Sequence, residues 1–172
     1  MKATGIVRRM DELGRVVIPK EMRRTMHLKE GEELEIYAHD EGLLLKKYSA
    51  ISALGGLAEE YAQVVQSLLG GAVFVTDTDG VSAAAGTQDE AAIGKPFSAA
   101  VGDLLAKRKR GLLSDAAVTK GGRTYAHVAV YPILTHGDLF GAIVLGARSA
   151  VDAKADVVCE TACRLLANQI GD

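Results

Sequence analysis

"GIVRRMDELGRVVIPKEMRRT", residues 5–25, sets five arginines and a lysine around one short uncharged run, Val16 to Pro19. The chain as a whole is mildly acidic, with 172 residues and a formal net charge of −2. That charge is unevenly spread. Residues 1–29 carry eight Lys/Arg against three acids, a net of +5. Residues 30–48 carry a net of −4 and residues 49–172 a net of −3. The positive field therefore belongs to the opening segment alone, and a local field of that kind points to a polyanionic partner.

Patterning gives this segment a shape. Residues 3–9 and 14–19 read as two short strands, with 10–14 as the turn between them. Pro19 suits the first position of a short helix over 19–26, where its missing N–H is not needed. Residues 29–38 and 42–48 read as two more strands joined by the tight turn "HDEG". A ββαββ unit of about 48 residues struggles to bury enough surface alone, and dimerisation is the usual remedy.

Strand pairing brings the region of Arg8 and Arg9 toward Arg15, and the short helix adds Arg23 and Arg24 to the same rim. The structural alternative is a solvated face on which Asp11, Glu12 and Glu21 neutralise the arginines. Exposed pairs of that kind contribute at most about 1 kcal/mol, too little to account for so many arginines in one place. Guanidinium groups grip phosphate oxygens bidentately and can read guanine edges, so nucleic acid is the better reading.

Residues 5–48 resemble the DNA-binding domain of the AbrB transition-state regulator family almost position by position. The "LGRVVIP" core followed by "E-x-RR" is the specific part of that match. The resemblance implies an intertwined homodimer, with hairpins swapped between chains to close one small β-barrel on double-stranded DNA. It also implies DNA contacts for Arg8, Arg15, Arg23 and Arg24. Arg9 and Lys20 are added as phosphate contacts by proximity, while Gly14 and Pro19 shape the loop and the helix entry.

The remaining chain reads as α-ββ-α-βββ-α: a helix from about 57, a hairpin over 72–86 around Asp79-Gly80, a helix over 97–110, strands over 112–119, 123–133 and 139–147, and a final helix over 151–170. That order suggests an antiparallel sheet with helices held to one side, an α+β domain of about 120 residues. An AbrB-type domain joined to such a domain resembles the sporulation regulators whose second half is a GAF fold. The expected organisation is residues 1–50 as the DNA-binding domain, 51–56 as a linker running into the first helix, and 57–172 as a GAF-like antiparallel sheet flanked by helices.

Ile51, Leu54, Ala58, Tyr61, Val65 and Leu68 are spaced as a heptad seam, and Val151, Ala155, Val158, Ala162 and Leu165 repeat the spacing. Packing on the domain's own sheet explains the pattern about as well as an intersubunit bundle. The second domain is read as an assembly module that pairs dimers into a homotetramer, with sensing of an unidentified small-molecule effector as the alternative. Ala83, Ala84 and Ala85 either leave a cavity or let a helix pack closely.

Other chemistry is not visible. Cys159 and Cys163 lie four apart in a helical pattern without CxxC spacing and read as packing residues in a reduced interior. The four histidines show no metal-ligand spacing, and His127 reads as a core histidine. "DTDG" at 77–80 reads as a turn and "KRKR" at 107–110 as solvated charge at a helix end. No nucleophile–base arrangement or phosphate-cradling loop stands out, so no enzyme, cofactor or metal is expected. The longest charge-free run, residues 61–76, is too short to cross a membrane, and the opening lacks the apolar core of a signal peptide. The expectation is a cytoplasmic, nucleoid-associated, sequence-selective transcriptional regulator. An antitoxin-type DNA-binding protein that neutralises a partner toxin is the runner-up, and it requires a polar, flexible C-terminal half.

Overall fold

A computed structural model of the chain describes residues 5–26, 28–40, 42–87 and 92–171. The chain divides into two compact units, one ending at Tyr48 and the other beginning at Ser49.

In the first unit, α1 spans Lys20–Thr25 directly after Pro19, whose φ of −58° already matches a helix entry. Glu21 sits in its first turn and Arg23 and Arg24 in its last, an order of charges that favours the helix dipole. Strands β1 (Leu34–His39) and β2 (Gly42–Lys47) pair antiparallel, from Leu34 opposite Lys47 to His39 opposite Gly42. The Lys47 ammonium lies 3.0 Å from Glu32, so opposite charges close the open end of the hairpin.

The two strands expected over 3–9 and 14–19 do not form within one chain. Residues 5–19 hold a turn and no ladder, and residues 3 and 4 lie outside the described residues. The physical reason is the absence of a sheet for them to join: Val7 is 86% exposed and Val17 73%. Among the described residues up to Tyr48, only Pro19 is buried. One copy of this unit has almost no core.

The second unit has an ample one. Helix α2 (Ala50–Ala53) is capped by Ser49, whose hydroxyl accepts the Ser52 N–H at 3.2 Å. Ile51 of α2 is fully buried, so the stretch expected as a linker contributes to this core. Then come α3 (Leu57–Leu69), β3 (Ala72–Thr76), β4 (Val81–Ala85), α4 (Ala99–Ala106), β5 (Gly111–Ala117), β6 (Thr124–Thr135), β7 (Asp138–Ala147) and α5 (Ala153–Gly171). The five strands form one antiparallel sheet in the order β4-β3-β7-β6-β5.

Alternation along the strands divides the interior into two layers. Val73, Val75, Ala129, Tyr131, Ile143 and Leu145 face α2, α3 and α5. Phe74, Val128, Val130, Ala142 and Val144 face the opposite way and pack with Val101 and Leu105 of α4. The helices are therefore on both faces, which corrects the expected one-sided arrangement. Central strands that are apolar on both faces require cover on both. The two heptad-like seams are largely spent here: Ala58, Val65, Ala155 and Ala162 lie in the core, and Leu54, Tyr61 and Val158 pack against it. Ala83 and Ala85 pack in the layer of α3 and α5. Small side chains there let α3 approach the sheet.

Candidate nucleic-acid interface

The opening segment is organised by Asp11. Its Oδ1 accepts the backbone N–H of Leu13 at 3.0 Å and that of Arg15 at 2.8 Å. Its Oδ2 accepts the Arg15 Nε–H at 2.7 Å. The backbone closes the same loop, with the Gly14 N–H donating to the Asp11 carbonyl at 3.0 Å and the Asp11 N–H to the Arg15 carbonyl at 3.1 Å. Gly14 has φ +75°, a conformation that a side chain would strain, and this fixes glycine in the turn. The Arg15 backbone N–H and guanidinium together hold the Asp11 carboxyl below its ordinary value.

All six predicted contact residues are exposed. Arg8 and Arg9 precede the loop, and one guanidinium nitrogen of Arg8 donates to the Val7 carbonyl at 3.0 Å. Arg15 leaves the loop with its side chain 72% exposed despite the Asp11 pair. Lys20 opens α1, and Arg23 and Arg24 end it. The Leu28 N–H donates to the Arg23 carbonyl at 2.8 Å, which closes the helix after the two arginines. The segment thus offers a run of cations on a small loop and one helical turn, in a unit with little buried beneath them. Phosphate recognition needs cations of that kind, exposed and held by the backbone.

Asp11 is the loop-shaping residue that the sequence reading undervalued, as one neutralising acid among three. The signal was present: an Asp three residues before a Gly and four before an Arg is the pattern of a side chain that caps its own turn.

In the second unit the remaining candidates resolve. Cys159 and Cys163 are buried, and burial pushes both thiols up to about 12. The Cys163 thiol donates to the Tyr131 carbonyl at 3.3 Å. Asp77 Oδ1 accepts the N–H groups of Asp79 and Gly80 at 2.7 and 2.8 Å, the geometry of a turn. His127 is half-buried. "KRKR" is not simply solvated charge, because two of its arginines reach other elements. Arg108 donates to the Gly137 carbonyl at 2.6 Å. Arg110 lies 2.5 Å from Asp156 of α5 and over the ring of Tyr131, whose hydroxyl donates to the same carboxylate at 2.7 Å. This clasp ties the start of β5 to α5.

Residues 53–171 match the family described as stage V sporulation protein T C-terminal, transcription factor. Residues 7–52 match the family described as antidote-toxin recognition MazE, bacterial antitoxin. Stage V sporulation protein T of Bacillus subtilis (strain 168) is 39% identical over 179 aligned residues, covering 99% of each chain. The transition state regulatory protein AbrB of the same organism is 65% identical over 48 residues, 28% of this chain and 50% of that protein. Over the second unit, the crystal structure of the GAF-B domain of DevS from Mycobacterium smegmatis superposes with a TM-score of 0.54 at 15% identity, covering 67% of this chain and 90% of that one. That likeness establishes a GAF fold.

Proposed function

The chain belongs to the stage V sporulation protein T family, and on that premise we propose that it is a DNA-binding transcriptional regulator of sporulation genes whose contact with duplex DNA is made by Arg8, Arg9, Arg15, Lys20, Arg23 and Arg24. The observation that carries this reading is the Asp11-braced loop and the α1 end. There the exposed cations stand on a segment 65% identical to the regulator AbrB. The arginines supply phosphate affinity. Selectivity also draws on groove width and bending, because so small a unit cannot bury many base contacts.

The protein acts as a homodimer through its first unit. Support comes from exposed Ile36, Leu43, Leu44 and Leu45 on the hairpin and Val7, Val16 and Val17 before it, an apolar set with no core of its own. A second copy would bury them and complete the strands that one chain leaves unmade. Dimers associate further into tetramers through α3 and α5, on which Val64, Leu68, Val157 and Leu165 remain exposed after the seams have packed inward. The GAF-like unit thereby presents two DNA-binding dimers to one operator with raised effective concentration.

The protein is a cytoplasmic regulator acting on the nucleoid and not an enzyme. No helix among the described residues is long and apolar enough to cross a membrane. The match of residues 7–52 to an antitoxin family keeps toxin neutralisation as a second reading. Against it stands the C-terminal unit, which packs two layers around a five-stranded sheet where a toxin-wrapping tail would be polar and unpacked. Footprinting of the purified protein across genomic DNA tests the proposal. Discrete protected sites, lost at raised salt, are the expected result, and uniform or salt-insensitive protection would overturn it.

A further inference from the structure

A cleft of about 470 Å³ opens at one end of the second unit's sheet, and it is built from parts distant in sequence. Gln66 comes from the end of α3, Thr87 follows β4, Arg123 and Tyr125 stand at the start of β6, and Gly146 and Arg148 at the end of β7. The Tyr125 ring lies across β7, where a Cβ on residue 146 would stand 2.7 Å from it; only glycine admits the ring there. Phe74 meets the same ring edge-on at 6.1 Å. The Tyr125 hydroxyl, 3.3 Å from the Thr87 hydroxyl, is thereby fixed at the cleft wall.

Charge makes this cleft unusual in an acidic unit. The Arg123 guanidinium lies 5.9 Å from the centre of the Tyr125 ring, and Arg148 lines the same space. Among the described residues that line the cleft there is no Asp or Glu, and neither arginine forms an ion pair within the described residues. The other basic groove, between Arg108, Lys109, Arg110 and Arg164, differs in this respect: it contains Glu160, and Arg108 and Arg110 already face Asp138 and Asp156. Among the described residues, two guanidiniums without an ion pair, a hydroxyl pair and an amide share one concave space, a donor-rich set with no carboxylate in it. Such a set suits a doubly charged small anion.

We propose that this cleft is a binding site for a small dianion, a phosphate-bearing or dicarboxylate metabolite, held by Arg123 and Arg148 and oriented by Tyr125, Thr87 and Gln66. The site gives chemical content to the sensing alternative for this unit and needs the DNA reading only for its consequence. Its position suggests how an occupant is felt. The cleft borders the end of α3, and Lys154 of α5 donates to the Leu68 carbonyl at 2.8 Å, so the occupant sits beside the join between the two helices with exposed apolar residues.

The test is titration calorimetry of the full-length protein with inorganic phosphate and, separately, with malonate, against sodium chloride at matched ionic strength. Saturable binding of phosphate, malonate or both is expected, and which of them binds distinguishes a tetrahedral from a dicarboxylate ligand. Arg123→Gln and Arg148→Gln should each weaken it about tenfold or more. Tyr125→Phe, which keeps the ring on β7, should weaken it less. Arg164→Gln, in the other groove, should leave it unchanged. Absence of saturable binding by both anions overturns the proposal, as does equal binding by the Arg123 and Arg148 variants or a loss confined to Arg164→Gln. DNA binding by the same variants is measured in parallel, so that failure of the anion site is distinguishable from failure of the regulator reading.

Discussion

Asp11 grips Arg15 twice, accepting its backbone N–H at 2.8 Å through Oδ1 and its Nε–H at 2.7 Å through Oδ2. The same carboxylate therefore shapes the loop that presents an arginine and occupies part of that arginine's charge. Both side chains are solvent-exposed and the pair is screened by water, so a DNA phosphate can displace the side-chain bond while the backbone bonds persist. The loop is held ready and the guanidinium is only lent.

Separating the two functions of Asp11 gives the first prediction. Asp11→Asn keeps an acceptor for the Leu13 and Arg15 N–H groups but removes the charge. It should tighten binding to non-cognate DNA severalfold and steepen its salt dependence. Asp11→Ala removes both functions and should weaken operator binding. Because the folded carboxyl is held low, its contribution to the loop is full above the ordinary aspartate range and is lost as pH falls through the depressed value. Fluorescence anisotropy with cognate and scrambled duplexes reads all three effects.

Arg15→Ala or Arg23→Ala should abolish operator binding and leave the dimer intact, since both side chains are exposed. A dimer presenting the four main arginines from each copy neutralises roughly six to eight phosphates, and log affinity should then fall against log salt with a slope of about −5 to −7. Electrophoretic titration at several salt concentrations measures the slope. Loss of dimerisation in either variant would assign these residues to the fold.

Leu68→Glu with Leu165→Glu places charge on the outward side of α3 and α5, at positions about half exposed that the core does not require. Sedimentation should show tetramers for the wild type and dimers for the variant. Truncation after Ala50 should give the same loss of higher-order complexes, together with weaker DNA binding. Unchanged assembly in both would remove the helices from the interface.

Cys159 and Cys163 should resist iodoacetamide in the native protein at pH 8 and react fully in denaturant, because burial raises both thiols to about 12. With folded values above the unfolded one, the neutral thiols favour the native state, and that contribution declines as pH rises from about 8.5 toward 12. Replacing both by Ala should lower the thermal midpoint and barely alter DNA binding under reducing conditions. Mass spectrometry of alkylated protein checks the first part and anisotropy the second.

The element order α-ββ-α-βββ-α of the second unit and the β1–β2 hairpin were readable because helical and strand periodicities are local properties of a short window. So was the cationic segment, since eight basic residues in the first 29 need no structure to be counted. The strands expected over 3–9 and 14–19 show where local reading stops. Their alternation is real, but a ladder needs a partner edge, and within one chain Val7 and Val17 have none. The role of α4 was missed for a related reason: its pattern announces one buried side without saying which face of the sheet receives it.

The sequence alone settled composition, charge segregation and the succession of elements in the second unit, because each of these is fixed by the neighbours along the chain. Only the tertiary structure decided that helices cover both faces of the sheet, that Arg110 joins Asp156 and Tyr131, and that Arg123 and Arg148 share one cleft. Those relationships join residues tens of positions apart, and their geometry comes from strand register and packing, which no local pattern encodes.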